Sequence, residues 1–207
     1  PMEIRVVVMN HNHIEFNERL KLVRKSGDGK AAFDFEKTFI HQSDKRLDFI
    51  RTLVQKCTNN TLLLFHTIEN GQRIFDKLSR EIDDKEFFYI DGEVSGRKRE
   101  EIKKQMEVTD GKVRVLVASF GTLSTGVSIN AIFNVIFADS FKSEQIIIQS
   151  IGRGLRLHSD KDKVNIFDLV DIFDANDMNN ALFRHYKERE SFYIKRKYPY
   201  KMLKINL

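Results

Sequence analysis

Four short apolar runs constrain this chain more than any other feature. Residues 61–66 (TLLLFH), 113–119 (VRVLVAS), 133–139 (FNVIFAD) and 164–171 (VNIFDLVD) are shorter than typical helices. They are also too continuously apolar for strands with one wet face, so they read as strands buried on both faces. Residues 3–9 (EIRVVVM) and 87–91 (FFYID) add two β-branched or aromatic runs of the same kind. Between them lie helical patterns. Ser43 caps a helix over 44–56 with Leu47, Ile50, Leu53 and Val54 at helical spacing, Ile74, Phe75 and Leu78 mark another, and Ser95 caps a charged helix over 96–106. Alternating strands and helices predict an α/β fold, a parallel sheet covered by helices on both faces. Ligands of such sheets gather beyond the carboxyl ends of the strands, where His66, Asp91, 119–126 and Asp139 fall.

The least readable stretch is 10–40. It offers a turn signal at 26–29 (SGDG) and two histidines, His11 and His13, with no cysteine or further histidine at metal-ligand spacing. No metal site is expected. Cys57 is the only cysteine, so no internal disulfide can form, and a small buried hydrophobe is its expected role. No apolar run approaches the roughly 20 residues needed to cross a bilayer. The chain opens on Pro1, which leads directly into a strand-like run and suggests a piece of something longer.

Charge is unevenly placed. Of a net +5, residues 184–204 hold eight Lys or Arg against two Glu, leaving the remainder close to neutral. Arg184, Lys187, Arg189, Lys195, Arg196 and Lys197 lie on or just after a helical pattern that begins near Asp177, with Leu182, Phe183, Tyr186, Phe192, Tyr193 and Ile194 as its apolar side. Lys195, Arg196 and Lys197 are candidates for phosphate contact; the alternative is a solvated helix face.

Two stretches hold the strongest chemistry. Residues 149–156 (QSIGRGLR), if helical from Ser143 onward, place Gln149, Arg153 and Arg156 at i, i+4 and i+7 on one face. Guanidiniums grip phosphate oxygens with paired hydrogen bonds, and Gly152 and Gly154 allow close approach. A surface helix end with dipole-favoured cations is the competing reading. Residues 118–129 (ASFGTLSTGVSI) crowd hydroxyls and glycines into a loop that can cup a phosphate, although loops are often rich in such residues.

In order and spacing, 61–67, 91–100, 118–129 and 149–156 resemble motifs IV, IVa, V and VI of the second RecA-like domain of superfamily 2 helicases, and the tail through 198–200 is similar to the ending of phage UvsW-type DNA helicases. The resemblance implies a RecA-like domain over 43–172, an N-terminal strand and connecting segment over 1–42, and a basic, aromatic extension over 173–207 packed on the domain. It implies that Arg153 and Arg156 act as arginine fingers on the phosphates of ATP, that Gln149 links nucleotide to nucleic acid, and that Gly126 touches the ATP cleft. Thr122, Ser124, Thr125, His66 and Thr67 would meet the nucleic-acid backbone. Ser128 and Ser150 depart from the pattern, since many relatives carry an acidic residue near the first and Arg at the second.

The chain has no G-x-x-x-x-G-K-[ST] loop and no DEAD- or DEAH-type box. ATP and Mg2+ are therefore expected to be held mainly by an N-terminal RecA-like domain of the same polypeptide. The resulting expectation is the C-terminal motor domain of an ATP-dependent DNA helicase or translocase acting on branched or duplex DNA in recombination and repair. Such a domain would be inactive alone and cytoplasmic, in the host cytoplasm for a phage chain. Two alternatives stay open: a non-catalytic nucleic-acid-binding module of the same fold, and an RNA helicase domain, because backbone contacts distinguish DNA from RNA poorly.

Overall fold

The computed structural model describes residues 2–122, 129–149 and 163–207 in full, and 123 and 150–154 by their backbone. Chain order runs β1 (Met2–Asn10), α1 (Ile14–Lys25), α2 (Gly29–Gln42), α3 (Asp44–Lys56), β2 (Thr61–Phe65), α4 (Ile68–Glu81), β3 (Lys85–Ile90) and α5 (Gly96–Met106). It continues through β4 (Val113–Ser119), the single turn α6 (Phe120–Leu123), β5 (Asn134–Phe137), α7 (Glu144–Gly154), β6 (Val164–Ile172), α8 (Ala181–Lys195) and β7 (Tyr200–Asn206).

The strands form one seven-stranded sheet in the order β3-β4-β2-β5-β6-β1-β7. Every described pairing in it is parallel. This is the fold class the alternating pattern predicts. One face packs Leu47, Ile50 and Val54 of α3 and Ile74 and Leu78 of α4 against Leu63, Val117 and Ile136. The other packs Ile102 and Met106 of α5, Ile147 of α7 and Tyr186 and Tyr193 of α8 against Leu64, Leu116 and Val135. The helix starts follow from short polar caps. Ser43 Oγ accepts from the Arg46 N–H at 3.3 Å, and Ser95 Oγ accepts from the Lys98 N–H at 3.3 Å. At Gly71 on α4 the Phe65 ring lies so close that an added Cβ would stand 2.4 Å from it, so only glycine fits.

The stretch over 10–40 holds two helices. Gly27 takes φ +77 between them, and Asp28 Oδ1 accepts from the N–H groups of Lys30 and Ala31 at 3.0 and 2.9 Å, which starts α2. Phe16, Leu20, Ala32 and Ile40 of this hairpin form a small cluster of their own with Phe173 and Leu182. Glu36, wholly buried on α2, accepts from the backbone N–H groups of Ala181 and Leu182 at 2.8 and 2.9 Å, and so caps the first turn of α8. Burial, the largest influence, keeps its carboxyl above the ordinary value despite those bonds.

The tail differs from the expectation in three respects. Residues 200–206 form a strand that pairs with β1 from Ile4↔Tyr200 onward. The mostly exposed run YKMLKIN, following Pro199, fits an edge strand, with Lys201 and Lys204 as edge charges. Arg189, grouped with the phosphate-seeking cations, is instead fully buried. Its Nη2 and Nε donate to the two Asp168 oxygens at 2.8 and 3.0 Å, its Nη1 donates to the Phe141 carbonyl at 2.7 Å, and Tyr193 Oη adds a bond to Asp168 at 2.9 Å. Ile194 of the supposed apolar side is exposed.

Removing one member of a buried, hydrogen-bonded ion pair strands the other, typically at about 3–5 kcal/mol. Arg189→Met should lower unfolding free energy in urea by about that amount. The double variant Arg189→Met/Asp168→Leu should recover most of it, and equal losses in both would show that the charge pairing is not the cause.

Candidate functional site

β2, β4 and β5 are neighbours, and their carboxyl ends open onto a cleft of about 640 Å³. His66 enters from the end of β2, Phe120 and Gly121 from the turn after β4, and Ser140 to Ser143 from the segment after β5. Gln145, Ile146 and Gln149 line it from α7, Phe33 from α2 and His185 from α8. Ser143 Oγ accepts from the Ile146 N–H at 3.3 Å and starts α7. Ile147 turns into the core, which leaves Gln145 and Gln149 toward the cleft.

A buried polar network sets the walls. The Asp139 carboxylate accepts from the His66 backbone N–H at 2.7 Å, from His41 Nε2 at 2.9 Å and from Asn70 Nδ2 at 3.0 Å. Burial alone would raise this carboxyl. The hydrogen bond from His41, the nearby His41 and Arg46 and the His66 N–H outweigh burial and hold it below its ordinary value. Arg46 lies one step deeper. Its Nε and Nη2 donate to Asp171 at 2.8 and 3.0 Å, and Nη2 also reaches the Ala138 carbonyl at 2.6 Å. His11 Nε2 donates to the same Asp171 at 2.8 Å. Against the opposing effect of burial, the Arg46 charge and the His11 hydrogen bond draw the Asp171 carboxyl down to about 2. His13, the other early histidine, caps α1 by accepting from the Phe16 N–H at 3.1 Å.

Of the residues singled out from the sequence, His66 and Gln149 line one cleft. Thr122 is buried, and its hydroxyl donates to the Ser119 carbonyl at 2.6 Å, inside the turn. Thr67 precedes α4, its Oγ1 buried with no hydrogen-bond partner among the described residues. Arg153 belongs to α7 by its backbone; Ser124, Thr125, Gly126 and Arg156 lie outside the described residues. Lys195, Arg196 and Lys197 are exposed at the end of α8. Arg196 Nε and Nη2 both stand 3.0 Å from Glu144 Oε1, beside the cleft residues Ser143 and Gln145. Motif and spacing do not single out Arg46 and Asp171, and they place Asp139 only at a strand's carboxyl end. A carboxylate ending a buried strand is the signal for Asp139.

This sheet order, with its cleft over β2, β4 and β5, defines a RecA-like helicase C-terminal fold. Residues 45–158 match the family described as helicase conserved C-terminal domain. The ATP-dependent DNA helicase uvsW of Enterobacteria phage T4 is 31% identical over 206 residues, 93% of this chain and 39% of that protein. The crystal structure of T4 UvsW aligns with a TM-score of 0.73 at 29% identity, covering 99% of this chain and 42% of that one. The C-terminal domain of the DEAD-box protein Dbp5 shares the fold, with a TM-score of 0.58 at 14% identity over 98% of this chain and 90% of its own. The chain belongs to the helicase C-terminal domain family and is related to UvsW. It spans about two-fifths of that relative's length.

The depressed Asp171 carboxyl gives a signed pH prediction. Its contribution to stability is complete above the ordinary carboxyl value of 3.8 and is lost as pH falls through about 2. The gap in unfolding free energy between the native chain and Asp171→Asn should therefore narrow by roughly 2 kcal/mol as pH drops across that window. A gap that stays constant in urea titrations would deny the linkage.

Proposed function

We propose that this chain is the C-terminal motor domain of an ATP-dependent DNA helicase or translocase, acting on branched or duplex DNA in recombination and repair. The observation that carries the reading is the convergence of His66 and Gln149 on one cleft, with Gln149 on the same helix as Arg153. The 31% identity to a DNA helicase supports the choice of DNA.

The described lining residues offer amides, hydroxyls, imidazoles and one ammonium, Lys142, and no carboxylate. Such donors suit phosphate oxygens and do not suit a magnesium ion, which prefers carboxylate and water oxygen. In this reading ATP and Mg2+ are held mainly by the N-terminal RecA-like domain of the same polypeptide, and bound Mg2+ supplies charge neutralisation at the phosphates. Closure of the two domains brings Arg153 and Arg156 against the β- and γ-phosphates, where two fixed positive charges stabilise charge that grows in the transition state. Gln149, one helical turn before Arg153, passes the movement to the cleft. His66, Thr67 and the segment after the turn of Thr122, holding Ser124, Thr125 and Gly126, change their hold on the DNA backbone as the interface closes and loosens.

In a polypeptide containing both RecA-like domains, Arg153→Ala or Arg156→Ala should cut ATP turnover by on the order of 10³-fold while ATP binding falls far less. Phosphate-release and nucleotide-binding assays check this, and near-normal turnover would return that arginine to a surface role. The 207-residue chain alone should release phosphate only at background, with or without DNA.

The exposed cations at the end of α8 generate a separate prediction. Replacing Lys195, Arg196 and Lys197 together by Ala should lower the log–log salt slope of duplex binding by about 0.9 for each phosphate that these side chains hold. Melting should barely move, because exposed pairs such as Arg196 with Glu144 contribute little to stability. Fluorescence anisotropy across a salt series decides the matter; an unchanged slope would make these charges a solvated face.

A further inference from the structure

A surface built only to hold a sugar–phosphate backbone needs charges and N–H groups, yet much of this cleft is aromatic. Phe120 and Phe141 form its floor with ring centres 4.8 Å apart, and both are nearly buried. Phe141 is held in place by Phe137 at 4.9 Å and by the Arg189 guanidinium 4.9 Å from its ring centre. On one side the half-buried rings of Phe33 and His185 lie 4.8 Å apart at 36°. His66, exposed, stands 6.4 Å from Phe120. Burial, then the charges of Lys142 and Arg189, lower His185 to about 4, so its ring is neutral at neutral pH, and its Nδ1 lies 3.1 Å from Ser140 Oγ. Polar groups stand around this apolar floor: the Gln145 and Gln149 amides, the Ser143 hydroxyl and the Lys142 ammonium.

A phosphate seated on that floor would lose water against the Phe120 and Phe141 rings and meet donors only at the rim. An apolar side chain would fill the floor but leave the two amides unmatched. A nucleobase meets both conditions, since its face is apolar and its edge carries donors and acceptors for amides to match. The opening of about 640 Å³ lies within the range of pockets that enclose small organic groups. We propose that the cleft takes up an unstacked nucleobase from the unpaired strand of its DNA, the ring face against His66, Phe120 and Phe33 and the base edge toward Gln145 and Gln149. The proposal rests on the motor-domain reading and adds to it a direct contact with the base. Aromatic faces accept every base, so the contact favours unpaired over paired strands without selecting sequence.

The test is fluorescence anisotropy of the 207-residue chain with a labelled oligothymidylate and with the same strand carrying abasic sites. The phosphates are identical in the two probes, so their salt slopes should match. The base-bearing strand should bind about tenfold more tightly. His66→Ala and Phe33→Ala should each bring it toward the abasic affinity. His66 is exposed, so its variant keeps the fold even if loss of Phe33 disturbs the α2 packing, which a melt would reveal. Equal affinity for the two probes, with salt dependence intact, overturns base capture and leaves the motor reading standing. A tenfold preference that survives both substitutions places the base elsewhere and also overturns it. Absence of salt-dependent binding to either probe counts against both.

Discussion

The arrangement depends on one strand with a carboxylate aimed at each face. β6, interior to the sheet between β5 and β1, has Asp168 turned toward the layer of α7 and α8 and Asp171 toward the layer of α3, each met by a buried arginine. Taking four charges out of water is expensive, and mutual attraction offsets that cost only when the geometry is good and the remaining hydrogen-bonding positions are filled. Both clamps meet the condition, because Arg189 spends a third donor on the Phe141 carbonyl and Arg46 one on the Ala138 carbonyl. Those two carbonyls belong to the segment following β5, which makes the wall of the cleft. The ion pairs fix where helices sit and also where the cleft-lining segment begins.

From Ala138 the fixation spreads by contact. Asp139, next in the chain, ties the first residue after β2 to α2 through His41 and to α4 through Asn70. A cleft lined by segments from six different elements keeps its shape only if those segments are referred to a common point, and this carboxylate supplies one. Carboxyl-end binding in open parallel sheets usually draws on loops alone; here a buried network stands behind the loops.

Much of this was legible in the residues. Continuous apolar runs gave the central strands because parallel sheets are buried on both faces, and Ser43 and Ser95 marked helix starts through the hydrogen bonds that they go on to make. The two helices over 14–42 were hidden because their apolar residues face a small side cluster with Phe173 and Leu182 and leave Ile14 and Leu22 exposed, so no strong stripe forms. β7 was hidden by its lysines, Lys201 and Lys204, which read as charge and serve as edge protection. Arg189 looked like one more cation in a charged helix, although Leu182, Tyr186, Arg189 and Tyr193 share the buried face. That spacing was the available signal, and composition overrode it. At the site, His66 and Gln149 could be matched to motifs one by one, whereas Asp139 and Arg46 act through contacts across 69 or more residues of chain, which no local pattern contains.

The position of β1 has a consequence for how the molecule comes to be. β1 lies between β6 and β7, the last two strands in the chain. Its apolar run, Val6-Val7-Val8-Met9, has no neighbour until nearly the whole sequence is available. During synthesis that run must stay unpaired while β2 to β5 can already assemble. Long-range parallel pairing of this kind is slow, and unpaired apolar strands invite association between chains. β1 docks beside β6, the strand whose two carboxylates are held by the buried arginines. A chain interrupted before α8 would lack Arg189 and the β7 partner together, and would leave its first strand without a stable place.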